Sequence, residues 1–339
     1  MKHIFYLHSN ICVIAVFHAV SQLIDKGEKV VIVSERNTRF PDLSDQLLFY
    51  DIEPIIDKYR RNTNSKLKQL INYRFELIPR YNSFAKDVIN NEDFILYIPS
   101  YSMYTILPFL RNVHCRGYYF IEEGTMSYMS QESLRRRYLK RRYLNGRMFL
   151  DLIGAGETPD YKITRKFKGC ICISEEAFPW CRENKILTNV DCYFSILSDG
   201  DEDIDSLIIT NYLREDKQLI INAFKLIIDT LCANNRNAKI GIKFHPTAYA
   251  YEAQKIKDIL SAIRDDYKFL DFTLLPSSYS VEGLMYKRHI NVYSVFGMSS
   301  LLLYSLMLKS RSFQLTYKND EIMLNEIPGI QDYLAVVNA

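Results

Sequence analysis

Residues 1–33, MKHIFYLHSNICVIAVFHAVSQLIDKGEKVVIV, decide how the chain is read. Ile4–Leu7 is an apolar run of strand length, Ser9-Asn10 is turn chemistry, and Ile11–Asp25 reads as a helix that ends at Gly27. Val30–Val33 is a second strand, so the stretch opens an α/β fold. The same residues have some features of a secretory signal: Lys2, the apolar run Ile11–Val20, and Ala19-Val20-Ser21. His8, Ser9, Asn10 and His18 interrupt that run, and a strand follows it at once, so the βαβ assignment is the better one.

Working outward, strands are expected at Phe94–Ile98, Tyr118–Ile121, Gly169–Ser174 and Asp191–Ile196, with helical stretches at Lys66–Ile89 and Tyr101–Val113. Short Val/Ile/Phe/Tyr runs of this kind suit strands buried on both faces of a parallel sheet. The polar run Ser198-Asp199-Gly200-Asp201-Glu202-Asp203 reads as a linker, after which the alternation restarts. Strands are expected at Leu207–Thr210, Lys239–Phe244, Phe272–Leu275, Ile290–Ser294 and Ser312–Leu315. Helices are expected at Glu215–Ala233, around Ala253–Ile263, at Val281–Tyr286 and at Ser299–Leu308. The expected architecture is two doubly wound α/β domains, residues 1–198 and 206–320, facing across a cleft, with residues 321–339 packing back on the first.

Composition excludes much. The 339 residues are 48% apolar and 24% charged, which are globular averages. Lys and Arg number 43 against 40 Asp and Glu, a net +3 that makes no general electrostatic case for nucleic acid. No uncharged apolar stretch reaches the roughly 18 residues of a spanning helix, and a cytoplasmic chain is expected. The seven cysteines are odd in number and lie mostly within apolar patterns, which suits reduced, buried thiols. Cys170 and Cys172 lack Cys or His partners at zinc spacing.

Four local features fall at carboxyl ends of expected strands, where doubly wound sheets bind ligands. Glu122-Glu123-Gly124 closes a hydrophobic strand; strand alternation aims one of the two carboxylates at the ligand edge, as a general base or simply as an acidic strand end. Lys243-Phe244-His245-Pro246 places an imidazole at the next such edge, to serve a leaving phosphate or the strand-to-loop junction. Gly297-Met298-Ser299-Ser300 opens a helix with hydroxyls and free amides, which can hold a phosphate or merely cap the helix. Glu282, near another helix start, can accept from ribose hydroxyls or stabilise the helix dipole.

In their order, Glu-Glu-Gly, His-Pro, Glu and Ser-Ser, these motifs resemble those of the bacterial GT-B sialyltransferases, a group that takes in glycosyltransferase family 52, the Pasteurella-type enzymes and the capsular polysialyltransferases. The resemblance spans Glu122 to Ser300. It implies a GT-B fold and an inverting, metal-independent transfer from a CMP-sugar, with no resident cofactor, to an oligosaccharide or glycolipid acceptor of a bacterial surface glycan. It makes one of Glu122 and Glu123 the base, with a lean to Glu122, and has His245 assist CMP departure. Ser299 and Ser300, with Gly297, Lys243 and Pro246 about them, would hold the CMP phosphate, and Glu282 the ribose. The sequence carries Glu-Glu where several relatives carry Asp, and its His-Pro motif is shared by Kdo transferases, so a CMP-Kdo transferase is the alternative enzyme. A GT-B relative that binds glycan or nucleotide without turnover is the alternative of another class.

Three further features stand beside the motifs. His8-Ser9-Asn10, at the end of the first strand, and Gly124 are placed on the acceptor side, where Tyr101, Tyr104 and Tyr128 can stack on sugars or pack in the core. Asp199-x-Asp201 resembles a metal-binding Asp-x-Asp but sits in the linker, so no metal is assigned to it. Arg135, Arg136, Arg137, Lys140, Arg141, Arg142 and Arg147 form a basic stretch with Leu and Tyr interleaved. It suits the inner face of an anionic membrane or an anionic acceptor, a solvated helix face being the plainer alternative and nucleic acid the weakest.

Overall fold

Ile4, Phe5, Tyr6 and Leu7 are all buried in the computed structural model, so the first strand is covered on both faces and becomes the centre of a sheet. The model describes all residues except 37, 46, 61–72, 102–104, 145–160, 198–201, 211–212, 214, 236–237, 246–247, 250–251, 278, 298, 319–320 and 339. Contacts divide the chain into two units, Met1–Ser195 and Ile196–Ala339.

The first unit runs β1 (Lys2–Leu7), α1 (Asn10–Asp25), β2 (Lys29–Ser34), β3 (Leu47–Asp51), α2 (Glu53–Arg60), α3 (Ile78–Ile89), β4 (Phe94–Ile98), α4 (Leu107–Arg111), β5 (Cys115–Ile121), α5 (Gln131–Leu144), β6 (Phe167–Cys172), β7 (Lys185–Leu187) and α6 (Asp191–Phe194). Its strands are parallel, in the order β3-β2-β1-β4-β5-β6-β7. The order reverses direction between β1 and β4, the topological switch point of a doubly wound sheet. Ser9, in extended conformation, caps α1 by accepting from the Cys12 amide at 3.3 Å, so the turn after β1 is held by its own hydroxyl. Gly169 has a φ of +152°, and a Cβ there would overlap the Asn184 carbonyl oxygen that bonds the Cys170 amide.

The second unit runs β8 (Ser206–Thr210), α7 (Lys217–Asn234), β9 (Ile240–Lys243), α8 (Ala253–Asp266), β10 (Phe272–Leu274), α9 (Val281–Arg288), β11 (Asn291–Val295), α10 (Ser300–Met307), β12 (Arg311–Lys318), β13 (Glu321–Ile327) and α11 (Ile330–Asn338). The sheet order is β10-β9-β8-β11-β12-β13, parallel but for antiparallel β13, with its switch point between β8 and β11. Ile208, Ile240 and Ile242 pack against Phe224, Ile227, Ile228, Ile256 and Ile259 from α7 and α8 to make the core.

Asp191–Ile196, expected as a strand, contains the helix α6 instead; a short run such as Asp191-Cys192-Tyr193-Phe194 has no period that separates the two. Of Tyr101–Val113, expected as a helix, Leu107–Arg111 is helical and residues 102–104 lie outside the described residues. Strands β3, β7 and β13 and helix α11 add to what the sequence indicated. The C-terminal residues belong to the second unit, where β13 pairs with β12 and α11 packs on α10. Among the described residues no helix is long and apolar enough to cross a membrane.

Candidate active site

At the carboxyl edge of the first sheet, Glu122 and Glu123 follow β5 and part company, as strand alternation requires. Glu122 is fully buried. Its Oε1 accepts from the Tyr128 hydroxyl at 2.6 Å, and its Oε2 accepts from the amides of Ile173 at 2.7 Å and Ser174 at 3.4 Å. This carboxylate ties the ends of β5 and β6 to the turn at Thr125–Tyr128. Burial and then the Glu122 charge push the Tyr128 hydroxyl well above its ordinary pKa, so it stays a donor. Geometry therefore makes Glu122 an anchor for these strand ends.

Glu123 faces the other way. Its side chain keeps 10% exposure. Its Oε2 lies 3.2 Å from His8 Nε2, and its Oε1 accepts from the Tyr161 hydroxyl at 2.8 Å. The Glu123 amide donates to Ser127 Oγ at 3.0 Å, and Gly124, at φ +126°, turns the chain away behind it. His8 directly follows β1 at the switch point and is buried. Burial by itself would favour the neutral ring; Cys12 and Glu123 outweigh it and leave the His8 pKa raised. Ser9 is spent on capping α1, and Asn10 is that helix's first residue.

Beside the pair lies an aromatic cluster that the sequence did not single out. Tyr161 stands 5.6 Å from Trp180 and 5.1 Å from Phe120 between ring centroids, and Phe178 is 5.5 Å from Trp180. Trp180 Nε1 is buried with no hydrogen-bond partner among the described residues. Tyr101 packs edge-on to Tyr118, and Tyr128 is buried on Glu122; Tyr104 lies outside the described residues.

In the second unit the expected residues follow the carboxyl ends of parallel strands, hence one edge of the sheet. His245 stands just beyond β9, half-buried, and its carbonyl accepts from the Ala248 amide at 2.8 Å; Pro246 lies outside the described residues. Gly297, at φ +108°, bends the chain after β11 at the switch point; Met298 lies outside the described residues. Ser299 caps α10, its Oγ accepting from the Leu301 amide at 3.3 Å, and its carbonyl accepts from the Tyr333 hydroxyl of α11 at 3.0 Å. Ser300 is half-buried beside it. Glu282, in the first turn of α9, is buried and its Oε2 accepts from Ser280 Oγ at 3.1 Å.

Lys243 is engaged within its own unit. Its buried ammonium donates to the carbonyls of Pro276 at 2.9 Å, Ser277 at 3.1 Å and Tyr279 at 2.8 Å. Three N–H groups on three carbonyls leave no donor for a phosphate; Lys243 braces the turn ahead of α9. Lys243→Met is expected to lower the stability of the second unit by about 2–4 kcal/mol, read as a fall in its urea midpoint. An unchanged midpoint with weakened CMP binding would return it to the ligand.

Of the acidic run, Glu202 and Asp203 are engaged within the second unit: the Arg288 guanidinium donates to the Glu202 carbonyl at 2.9 Å and to Asp203 Oδ1 at 2.7 Å. Residues 198–201, with Asp199 and Asp201, lie outside the described residues. Among the described residues no three His, Cys, Asp or Glu side chains are placed to hold a metal ion. The basic stretch begins on α5, where Leu134 is buried, Arg135 and Arg136 are exposed, and Arg136 pairs with Glu132 at 2.5 Å. Arg147, and the side chains from Lys140 to Tyr143, lie outside the described set.

Two α/β units, each with its switch point at a polar strand edge, invite comparison with solved structures. The chain is similar to a sialyltransferase from Photobacterium damsela, with a TM-score of 0.51 and 13% identity over 99% of this chain and 79% of that one. It is also similar to a Listeria monocytogenes protein assigned as a UDP-N-acetylglucosamine 2-epimerase, with a TM-score of 0.50 and 11% identity over 94% and 80% of the two chains. The fold is of the GT-B type. No protein-family model and no curated protein sequence matches the chain. Identity this low carries the GT-B fold alone, so the chemistry rests on the residues at the two strand edges.

Proposed function

We propose that the chain is an inverting, metal-independent glycosyltransferase that moves sialic acid, or a related nonulosonic acid, from a CMP-activated donor to a terminal sugar of a bacterial surface glycan such as lipooligosaccharide or capsule. The observation that carries this reading is Glu123: a partly exposed carboxylate at the ligand edge of the first sheet, with each oxygen held by one donor and lone pairs left to accept another proton. The sialyltransferase likeness supports the donor class in kind. In the reaction, Glu123 takes the proton of the acceptor hydroxyl as that oxygen bonds the donor's anomeric carbon. The bond from that carbon to the CMP phosphate oxygen breaks with inversion. His245 gives a proton to the departing phosphate, while the Ser299 and Ser300 hydroxyls and the amides at the start of α10 hold its charge. Glu282 serves the ribose, and the basic face of α5 serves an anionic membrane or acceptor at the cytoplasmic side.

The test is a donor screen of CMP-sialic acid, CMP-pseudaminic acid and CMP-Kdo against one panel of oligosaccharide acceptors, scored as CMP release with glycoside formed. Release from a nonulosonic donor supports the reading, and release from CMP-Kdo alone moves it to the Kdo transferases. Bound CMP without turnover makes the chain a binding protein. His245→Ala is expected to lower the release rate by about 10²–10⁴-fold while CMP still binds.

A further inference from the structure

The end of β1 and the end of β5 bring a third group to the base. His8 Nε2 lies 3.2 Å from Glu123 Oε2, and its other ring nitrogen lies 3.8 Å from Cys12 Sγ. Cys12 is wholly buried in the first turn of α1, and the Ser9 hydroxyl stands 3.2 Å from its sulfur. The ring is thus pinned at both nitrogens, by a thiol on one side and a carboxylate on the other. A thiol is a weak partner, so the ring's strong hydrogen bond is the one it makes to Glu123. Position explains this further: β1 is the strand at the switch point, and residue 8 is the first side chain beyond it.

We infer that His8 is a positioning residue for Glu123, fixing the carboxylate's orientation through Nε2–H. The inference rests on the transferase reading for what Glu123 does, and on the geometry alone for the pairing. Among the described residues, the titratable groups in contact with His8 are Cys12 from α1 and Glu123 from the end of β5. Those in contact with Glu123 are His8 and Tyr161. Glu122 turns to the opposite side, onto Tyr128 and the Ile173 amide. An acceptor hydroxyl therefore meets a carboxylate held at both oxygens, by His8 on one and Tyr161 on the other.

Two experiments on the full chain test this. In the first, histidine side chains are isotopically labelled and titrated by NMR, His8 being assigned by the signal lost in His8→Gln. In Glu123→Gln the His8 titration midpoint is expected to fall by roughly 1 unit or more, because the anion that favours its charge is gone; an unmoved midpoint overturns the pairing. In the second, kcat and KM for CMP release are compared between the parent, His8→Gln, which keeps an N–H donor, and His8→Ala, which has none. The kcat of His8→Ala is expected to fall by about 10-fold or more with the donor KM unchanged, and His8→Gln to recover most of that loss. A simple loss of packing would lower stability in both variants without this rescue, and an unchanged kcat in folded His8→Ala overturns the positioning role. A chain whose His8 follows Glu123 by NMR, yet which releases CMP from no donor, overturns the transferase reading and leaves the pairing standing.

Discussion

Glu123→Gln is expected to lower the rate of CMP release by about 10²–10⁴-fold, the usual share of a general base. Glutamine has the size of glutamate and can still meet the Tyr161 hydroxyl through its carbonyl oxygen, so the fold around β5 is expected to survive. What disappears is the capacity to take a proton from the acceptor. CMP binding, followed by calorimetry, is expected to stay near the parent value, because the groups assigned to CMP follow strands of the second unit. A loss of rate with an intact CMP isotherm identifies the base. A near-normal rate in Glu123→Gln, with a collapse in a folded Glu122→Gln, would exchange the two roles.

Glu122→Ala has the other large effect, and it falls on stability. The substitution removes the buried acceptor that the Tyr128 hydroxyl and the Ile173 amide share. Each hydrogen bond lost to a charged acceptor costs about 1.5–3 kcal/mol, and the cavity adds to it, for a total of about 3–5 kcal/mol. For a unit of this size that lowers the melting temperature by roughly 10 °C. Scanning calorimetry is the measurement, since a transition belonging to the first unit should move while one belonging to the second stays. A thermogram unchanged from the parent would mean the carboxylate holds nothing together.

The central strands of both sheets were legible because a strand buried on both faces writes itself as an unbroken apolar run, as in Ile4–Leu7 and Phe94–Ile98. Edge strands do not. In β7 Ile186 and Leu187 are exposed and the strand is Lys185–Leu187 only, too short for any periodicity to stand out. The positions of Glu122-Glu123, His245 and Ser299 at strand ends were legible for the same reason as the strands. How the two glutamates are held was not, because it depends on Tyr128, Tyr161, Ile173 and His8, residues brought in from up to about a hundred positions away by sheet pairing. The bracing role of Lys243 was hidden likewise, since its carbonyl partners lie on a turn more than thirty residues later.

Trp180 is the single tryptophan of the chain and it lies in the first unit, within the rings that carry Tyr161. Light absorbed by indole alone therefore interrogates one half of the molecule and is blind to the other. Its N–H is sealed from water among Phe120, Phe178 and Tyr161, a setting in which indole emits toward the blue. Water or a sugar reaching Tyr161 would redden or quench that emission, so arrival at Glu123 can be watched in the unlabelled protein, separately from whatever binds to the second sheet.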